Sequence, residues 1–131
     1  IDTKGGDILH AMKSGDIGFF GFGESYFSTI EPNAIKGWKL HHEMVLNLVV
    51  PFGGVKFVIF DDRKGSKTEG RFSEFTLSRK NYGRLTVAPN LWVAFQGVDL
   101  QDSLILNIAN IPHDPNESKI KELKDLNYNW R

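Results

Sequence analysis

At 131 residues the chain is long enough for one domain to bury one good core, and its 16 basic and 16 acidic residues cancel, leaving no global field to draw nucleic acid or an anionic membrane. With no cysteine, disulfides, thiolate nucleophiles and zinc–thiolate or iron–sulfur sites are excluded, and a cytoplasmic setting is expected. No apolar run approaches the ~20 residues that span a bilayer, and Ile1-Asp2-Thr3-Lys4-Gly5 lacks the apolar core of a signal peptide, so neither membrane nor nucleic acid is expected as a partner.

In chain order, a weak helical period covers Asp7–Met12. The run Phe19-Phe20-Gly21-Phe22-Gly23-Glu24-Ser25-Tyr26-Phe27 is too apolar for a free loop, and is expected to pack on the core or on a second subunit. Its glycines Gly18, Gly21 and Gly23 fit no nucleotide-binding fingerprint. Strand-type runs follow at Tyr26–Ile30, Ile35–Leu40, Met44–Val50, Val55–Asp61, Phe72–Leu77, Arg84–Val87, Leu91–Val98 and Ser103–Ala109, punctuated by turn residues such as Glu31-Pro32-Asn33 and Phe52-Gly53-Gly54. Glu117–Leu126 reads as a short helix docked through Ile120 and Leu123, and Tyr128-Asn129-Trp130 as a terminal anchor. Eight short strands at this spacing predict an all-β sandwich or barrel with short peripheral helices, formed as a single domain over residues 1–131.

Side chains two apart on a strand share a face. That rule groups Trp92, Ala94 and Gln96 against a core face of Leu91, Val93 and Phe95, and groups Asn47 with Val45 and Val49. A barrel of this size fills its interior or holds one small ligand. Trp38 and Trp92, Asn47 and Gln96 are candidates to line such a cavity, because flat aromatic faces stack on sugars and bases and each unpaired buried polar group costs about 1–3 kcal/mol. A satisfied polar network, or tryptophans that simply plug the barrel, are the structural alternatives. Asn107, Asn110 and His113 are placed at the mouth, while His10 and His42 read as surface residues.

Two spaced motifs carry a resemblance to the cupin superfamily. Gly83, five residues, then Pro89-Asn90-Leu91-Trp92-Val93-Ala94 follows the second motif, with Ala94 where that motif has histidine. Against the first motif, Asn33 stands for glycine, Lys39 for histidine, His41 is kept, Leu46 stands for glutamate and Gly53 is kept. Within the superfamily, Ile35-Lys36-Gly37-Trp38, Phe60-Asp61-Asp62-Arg63, the Ser66 to Asn81 segment, Leu85-Thr86-Val87-Ala88-Pro89 and the closing Tyr128-Asn129-Trp130 resemble the dTDP-4-dehydrorhamnose 3,5-epimerase family over residues 16 to 131. The resemblance implies a jelly-roll or double-stranded β-helix barrel, no metal or other cofactor, a nucleotide-sugar or carbohydrate ligand, and a homodimer that exchanges a strand near the N-terminus.

It also implies roles. The family moves protons beside a 4-keto group, using a histidine base, a lysine that helps with the enolate and a tyrosine acid. Here those positions fall on Lys39, on Leu46 and on no tyrosine between Tyr82 and Tyr128, while the phosphate-contacting arginine becomes Lys36. The expectation is therefore a divergent epimerase-like cupin that binds a nucleotide sugar without the usual apparatus. Its alternatives are an active epimerase or isomerase rebuilt around Lys39 and His41, where a desolvated lysine serves as base or Schiff-base former and histidine titrates near neutrality, and a scaffold for a partner enzyme.

Overall fold

A computed structural model describes all 131 residues. Nine strands form: β1 (Glu24–Ile30), β2 (Ile35–His41), β3 (Leu46–Phe52), β4 (Gly54–Asp61), β5 (Arg71–Ser78), β6 (Arg84–Val87), β7 (Trp92–Gly97), β8 (Ser103–Ala109) and β9 (Ser118–Ile120). They build two antiparallel sheets, ordered β1-β8-β3-β6 and β5-β4-β7-β2-β9. The arrangement is the expected all-β jelly roll, whose inward faces meet in one core. Leu46, Leu48 and Val50 of β3 interlock there with Val55 and Phe57 of β4, Val93 of β7 and Ile105 of β8.

Short turns hold the sheets in register. Asn33, standing where the first motif has glycine, adopts φ 64°, a left-handed conformation that asparagine tolerates better than most side chains. At the β3–β4 turn Gly53 has φ 84°, and a Cβ there would lie 2.1 Å from Ser103 Oγ. That hydroxyl accepts the Gly54 N–H and donates to the Gly54 carbonyl, both at 3.0 Å. Only glycine lets β8 come this close to the turn.

Two helical expectations are corrected. Asp7–Met12 forms no helix; residues 1 to 23 cross the outer face of the first sheet as an irregular arm. Some of its polar groups bond to one another in local turns, and others reach residues of or beside that sheet. Tyr82 donates to the His10 carbonyl at 2.7 Å, and Arg84 reaches the carbonyls of Ala11 and Ile17 and the Asp16 carboxylate. Glu117–Leu126 divides into β9 and a single 3-10 turn, Leu123–Asp125. Ile120 points to solvent, and Leu123 lies over Gly37.

The outer face of the second sheet is apolar and covered. Trp38, Leu40, Val58, Trp92 and Ala94 form a second core beneath Leu126, Tyr128 and Trp130. Trp130 packs 5.9 Å from Trp38 and 4.7 Å from Tyr128, ring centre to ring centre. Lys56 sits 5.4 Å above the rings of both Tyr128 and Trp130. Burial and the Glu74 carboxylate that accepts its hydroxyl push Tyr128 up to about 12. The terminal anchor read from Tyr128-Asn129-Trp130 thus closes a hydrophobic layer that the strands leave open. No helix is long and apolar enough to cross a membrane.

Candidate functional site

A cavity of about 240 Å³ opens between the two sheets. Leu46, Leu48, Phe57, Val93, Phe95 and Ile105 give it an apolar floor. Its polar groups divide between two walls. β1 and β8 of the first sheet contribute Tyr26, Ser28 and Asn107, whereas β2 of the second sheet contributes Lys36, Lys39 and His41.

The β2 wall depends on a bulge. Lys36 pairs with Phe95 and Lys39 with Val93, so three steps along β2 match two along β7. One extra residue reverses the alternation. Lys36 and Lys39, an odd number apart, consequently reach the same cavity, and Trp38 and Leu40 turn outward into the second core. Lys36 donates to the Thr29 carbonyl at 2.8 Å and lies 6.0 Å from the centre of the Phe95 ring.

His41 is held from the far end of the chain. The pairing of His41 with Ser118 across β2 and β9 brings Glu117 alongside, where its Oε1 lies 2.7 Å from His41 Nδ1. The second oxygen, Oε2, accepts the N–H groups of Glu43 and Met44 at 2.9 and 2.8 Å. Burial pushes the Glu117 carboxyl up, but these bonds outweigh it and hold the group below its ordinary range. An ionised carboxylate only accepts, so Nδ1 carries a proton and donates it to Glu117. The carboxylate thus fixes the orientation of the His41 ring at the cavity wall.

Four residues picked out for binding lie elsewhere. Trp38 and Trp92 are buried under the C-terminal tail, with Trp92 Nε1 donating to Asp62 at 2.9 Å. Gln96, on the same outward parity as Trp92, reaches only the Asn33 carbonyl at 3.4 Å. Asn47 faces the N-terminal arm, donating to the Gly18 carbonyl at 3.0 Å and accepting from Thr86 at 2.6 Å. These are structural positions: the tail covers Trp38 and Trp92, the arm covers Asn47, and Gln96 lies beside the Asn33 turn. Asn110 caps the Val45 N–H at 2.7 Å, and His10, His42 and His113 are exposed. Sequence reasoning missed Tyr26 and Glu117. A search for the family tyrosine on the later strands passes over the first strand, and a three-residue strand is too short to show alternation.

A jelly roll with an apolar cavity between its sheets and polar groups on both walls is a cupin-type barrel. Known proteins of this shape are close at hand. The dTDP sugar isomerase of Desulfovibrio desulfuricans G20 is 34% identical and superposes with a TM-score of 0.94, covering 99% of this chain and 85% of that one. The dTDP-4-dehydrorhamnose 3,5-epimerase of Sulfolobus tokodaii is 21% identical with a TM-score of 0.84, over 98% of this chain and 76% of its own, and shares the fold. The chain belongs to one family with the Desulfovibrio dTDP sugar isomerase, and it shares the cupin jelly-roll fold with the dTDP-4-dehydrorhamnose 3,5-epimerases. The probable low-salt glycan biosynthesis epimerase Agl13 of Haloferax volcanii is 28% identical over 100 residues, 73% of this chain. That match spans 64% of the Haloferax protein, under two thirds of its length. No protein-family model matches the chain.

Proposed function

We propose that the chain is a sugar-nucleotide epimerase or isomerase of glycan biosynthesis that removes a proton beside a keto group, with His41 as the base and Glu117 as the residue that orients it. The observation that carries this reading is the 2.7 Å His41–Glu117 contact at the wall of the cavity. Lys39, on the same wall, is suited to the negative charge that develops on the enolate oxygen. Lys36 at the same wall suits a phosphate oxygen of the nucleotide, as a point charge rather than a bidentate fork. The names of the Desulfovibrio and Haloferax relatives support sugar-nucleotide chemistry, and glycan biosynthesis as its setting.

A second reading, binding without turnover, draws on the residues that replace the family pattern, Lys39, Leu46 and Ala94. One experiment separates the two. The chain is incubated in deuterium oxide with dTDP-4-keto-6-deoxyglucose, and deuterium is sought at the carbons flanking the carbonyl. Catalysis predicts incorporation that His41→Asn abolishes and Glu117→Gln slows about 10–100-fold. Protection against heat by the nucleotide sugar with no incorporation is the outcome expected of a silent binder.

A further inference from the structure

We infer that the sugar this cavity takes is itself an anion, with a carboxylate on its ring that pairs with the Lys39 ammonium. The inference rests on the sugar-nucleotide reading above and names the class of sugar. Its basis is a charge that the chain leaves uncompensated. Lys36 and Lys39 both border the cavity, and no aspartate or glutamate does. Glu117, the carboxylate beside His41, is committed through Oε1 to that ring and through Oε2 to the N–H groups of Glu43 and Met44. Lys36 donates to the Thr29 carbonyl, whereas the Lys39 ammonium has no hydrogen bond or ion pair within the chain.

Exposure along β2 decides which part of a ligand meets Lys39. Lys36 is exposed, Lys39 is half-buried and the His41 side chain is only 11% exposed, so the wall runs inward from Lys36 to His41. A diphosphate held by Lys36 stays at the rim, and the group that reaches Lys39 belongs to the sugar that His41 also meets. The bulge in β2 concentrates the charge, because it brings both lysines to one face where regular alternation would put one of them outside. Two like charges on one wall raise the attraction of the cavity for anions.

The lining beside Lys39 makes the sign of that charge selective. Val93, its partner in the β2–β7 register, and Leu46 and Phe57 are apolar, so a ligand that fills the cavity strips water from the ammonium and leaves it few protein groups in exchange. A neutral ring then leaves a desolvated cation unpaired, which counts against binding. A ring carboxylate supplies the opposite charge where the dielectric is low and pairing is stronger than in water. Discrimination of this kind is larger than a pocket achieves by shape alone, because the wrong ligand leaves a polar group without a partner. An ammonium has three N–H donors, so Lys39 can hold the carboxylate and still face the carbonyl oxygen on which charge develops.

The test titrates the whole chain calorimetrically with two ligands that share one nucleotide, dTDP-glucose and dTDP-glucuronate. They differ only in a hydroxymethyl group against a carboxylate, so the contributions of base and diphosphate cancel in the ratio of affinities. The wild type is expected to bind dTDP-glucuronate about 10–100-fold more tightly, with the preference lost in Lys39→Met and kept in Lys39→Arg, which retains the charge. Lys36→Met is expected to weaken both ligands alike. Equal affinities in the wild type overturn the inference, as does a preference that Lys39→Met leaves intact. Equal weakening of both ligands by Lys39→Met, with the preference unchanged, overturns it too, by putting Lys39 on the diphosphate. Deuterium exchange reports His41 independently: exchange without a carboxylate preference overturns the inference and keeps the base, whereas the preference without exchange overturns the base and keeps the inference. A wild type that binds neither ligand overturns the sugar-nucleotide reading and the inference together.

Discussion

His41 and Glu117 are 76 residues apart in sequence, yet Nδ1 and Oε1 stand 2.7 Å from each other because β9 adds to the edge of β2. The contact has a consequence for acid stability. The Glu117 carboxyl is held below its ordinary 4.5 in the folded chain, where burial, which raises it, is outweighed by His41 and two backbone N–H groups. A lowered folded value stabilises the fold fully above about pH 4.5, and that contribution is lost as the pH falls through the folded value. Urea unfolding from pH 7 to pH 3 is expected to show a shallower acid decline in Glu117→Gln than in the wild type. Parallel declines would show that Glu117 carries no such linkage.

The β3–β4 turn has no room for a side chain at Gly53. Gly53→Ala would place a Cβ 2.1 Å from Ser103 Oγ at a φ of 84°, and is expected to destabilise by about 2 kcal/mol or more. Ser103→Ala, which loses the pair of bonds to Gly54, is expected to cost about 1 kcal/mol. Chemical denaturation of the two variants checks both values, and a Gly53→Ala midpoint equal to wild type would contradict the close approach.

The tail over Trp38 and Trp92 is a stabilising layer. Trp130→Ala removes a ring packed against Trp38, Tyr128 and the Lys56 ammonium, with an expected loss of about 2 kcal/mol. Tryptophan emission should shift to longer wavelength in the folded variant as Trp38 gains solvent. An unshifted spectrum with unchanged stability would mean that the tail does not cover this face.

β1 is an edge strand with Phe27 64% exposed, close in sequence to the exposed Phe20 and Phe22. An edge of this kind invites pairing with another chain, and we expect a dimer that joins at this segment. Light scattering should give twice the 14.8 kDa chain mass for the wild type and the monomer for Phe27→Glu. A monomeric wild type at micromolar concentration removes the expectation.

Much of the fold was readable because strand signals are local. Arg84–Val87 and Ser103–Ala109 have the bounds their β-branched runs and turn residues suggest, and the other long strands differ at their ends by one or two residues. The two expected helices failed for a common reason. Short apolar spacings in Asp7–Met12 and Glu117–Leu126 look helical in isolation, but their backbone groups find partners on the sheets, and tertiary hydrogen bonds outweigh a weak period.

By itself the sequence determined an all-β sandwich or barrel, the glycine turn at Gly53 and the presence of Lys39 and His41 on one face of β2, since each follows from alternation or from a backbone conformation few residues can adopt, while the jelly roll was implied by the family resemblance. Which face of each strand lines the cavity was decided only by tertiary structure. One extra residue near Gly37 reverses the parity of β2 and sends Trp38 outward, while tail and arm cover Trp92 and Asn47 from outside. Tyr26 and Glu117 belong to the site through strand pairings with Asn107 and beside His41, and long-range pairing leaves no mark on local periodicity.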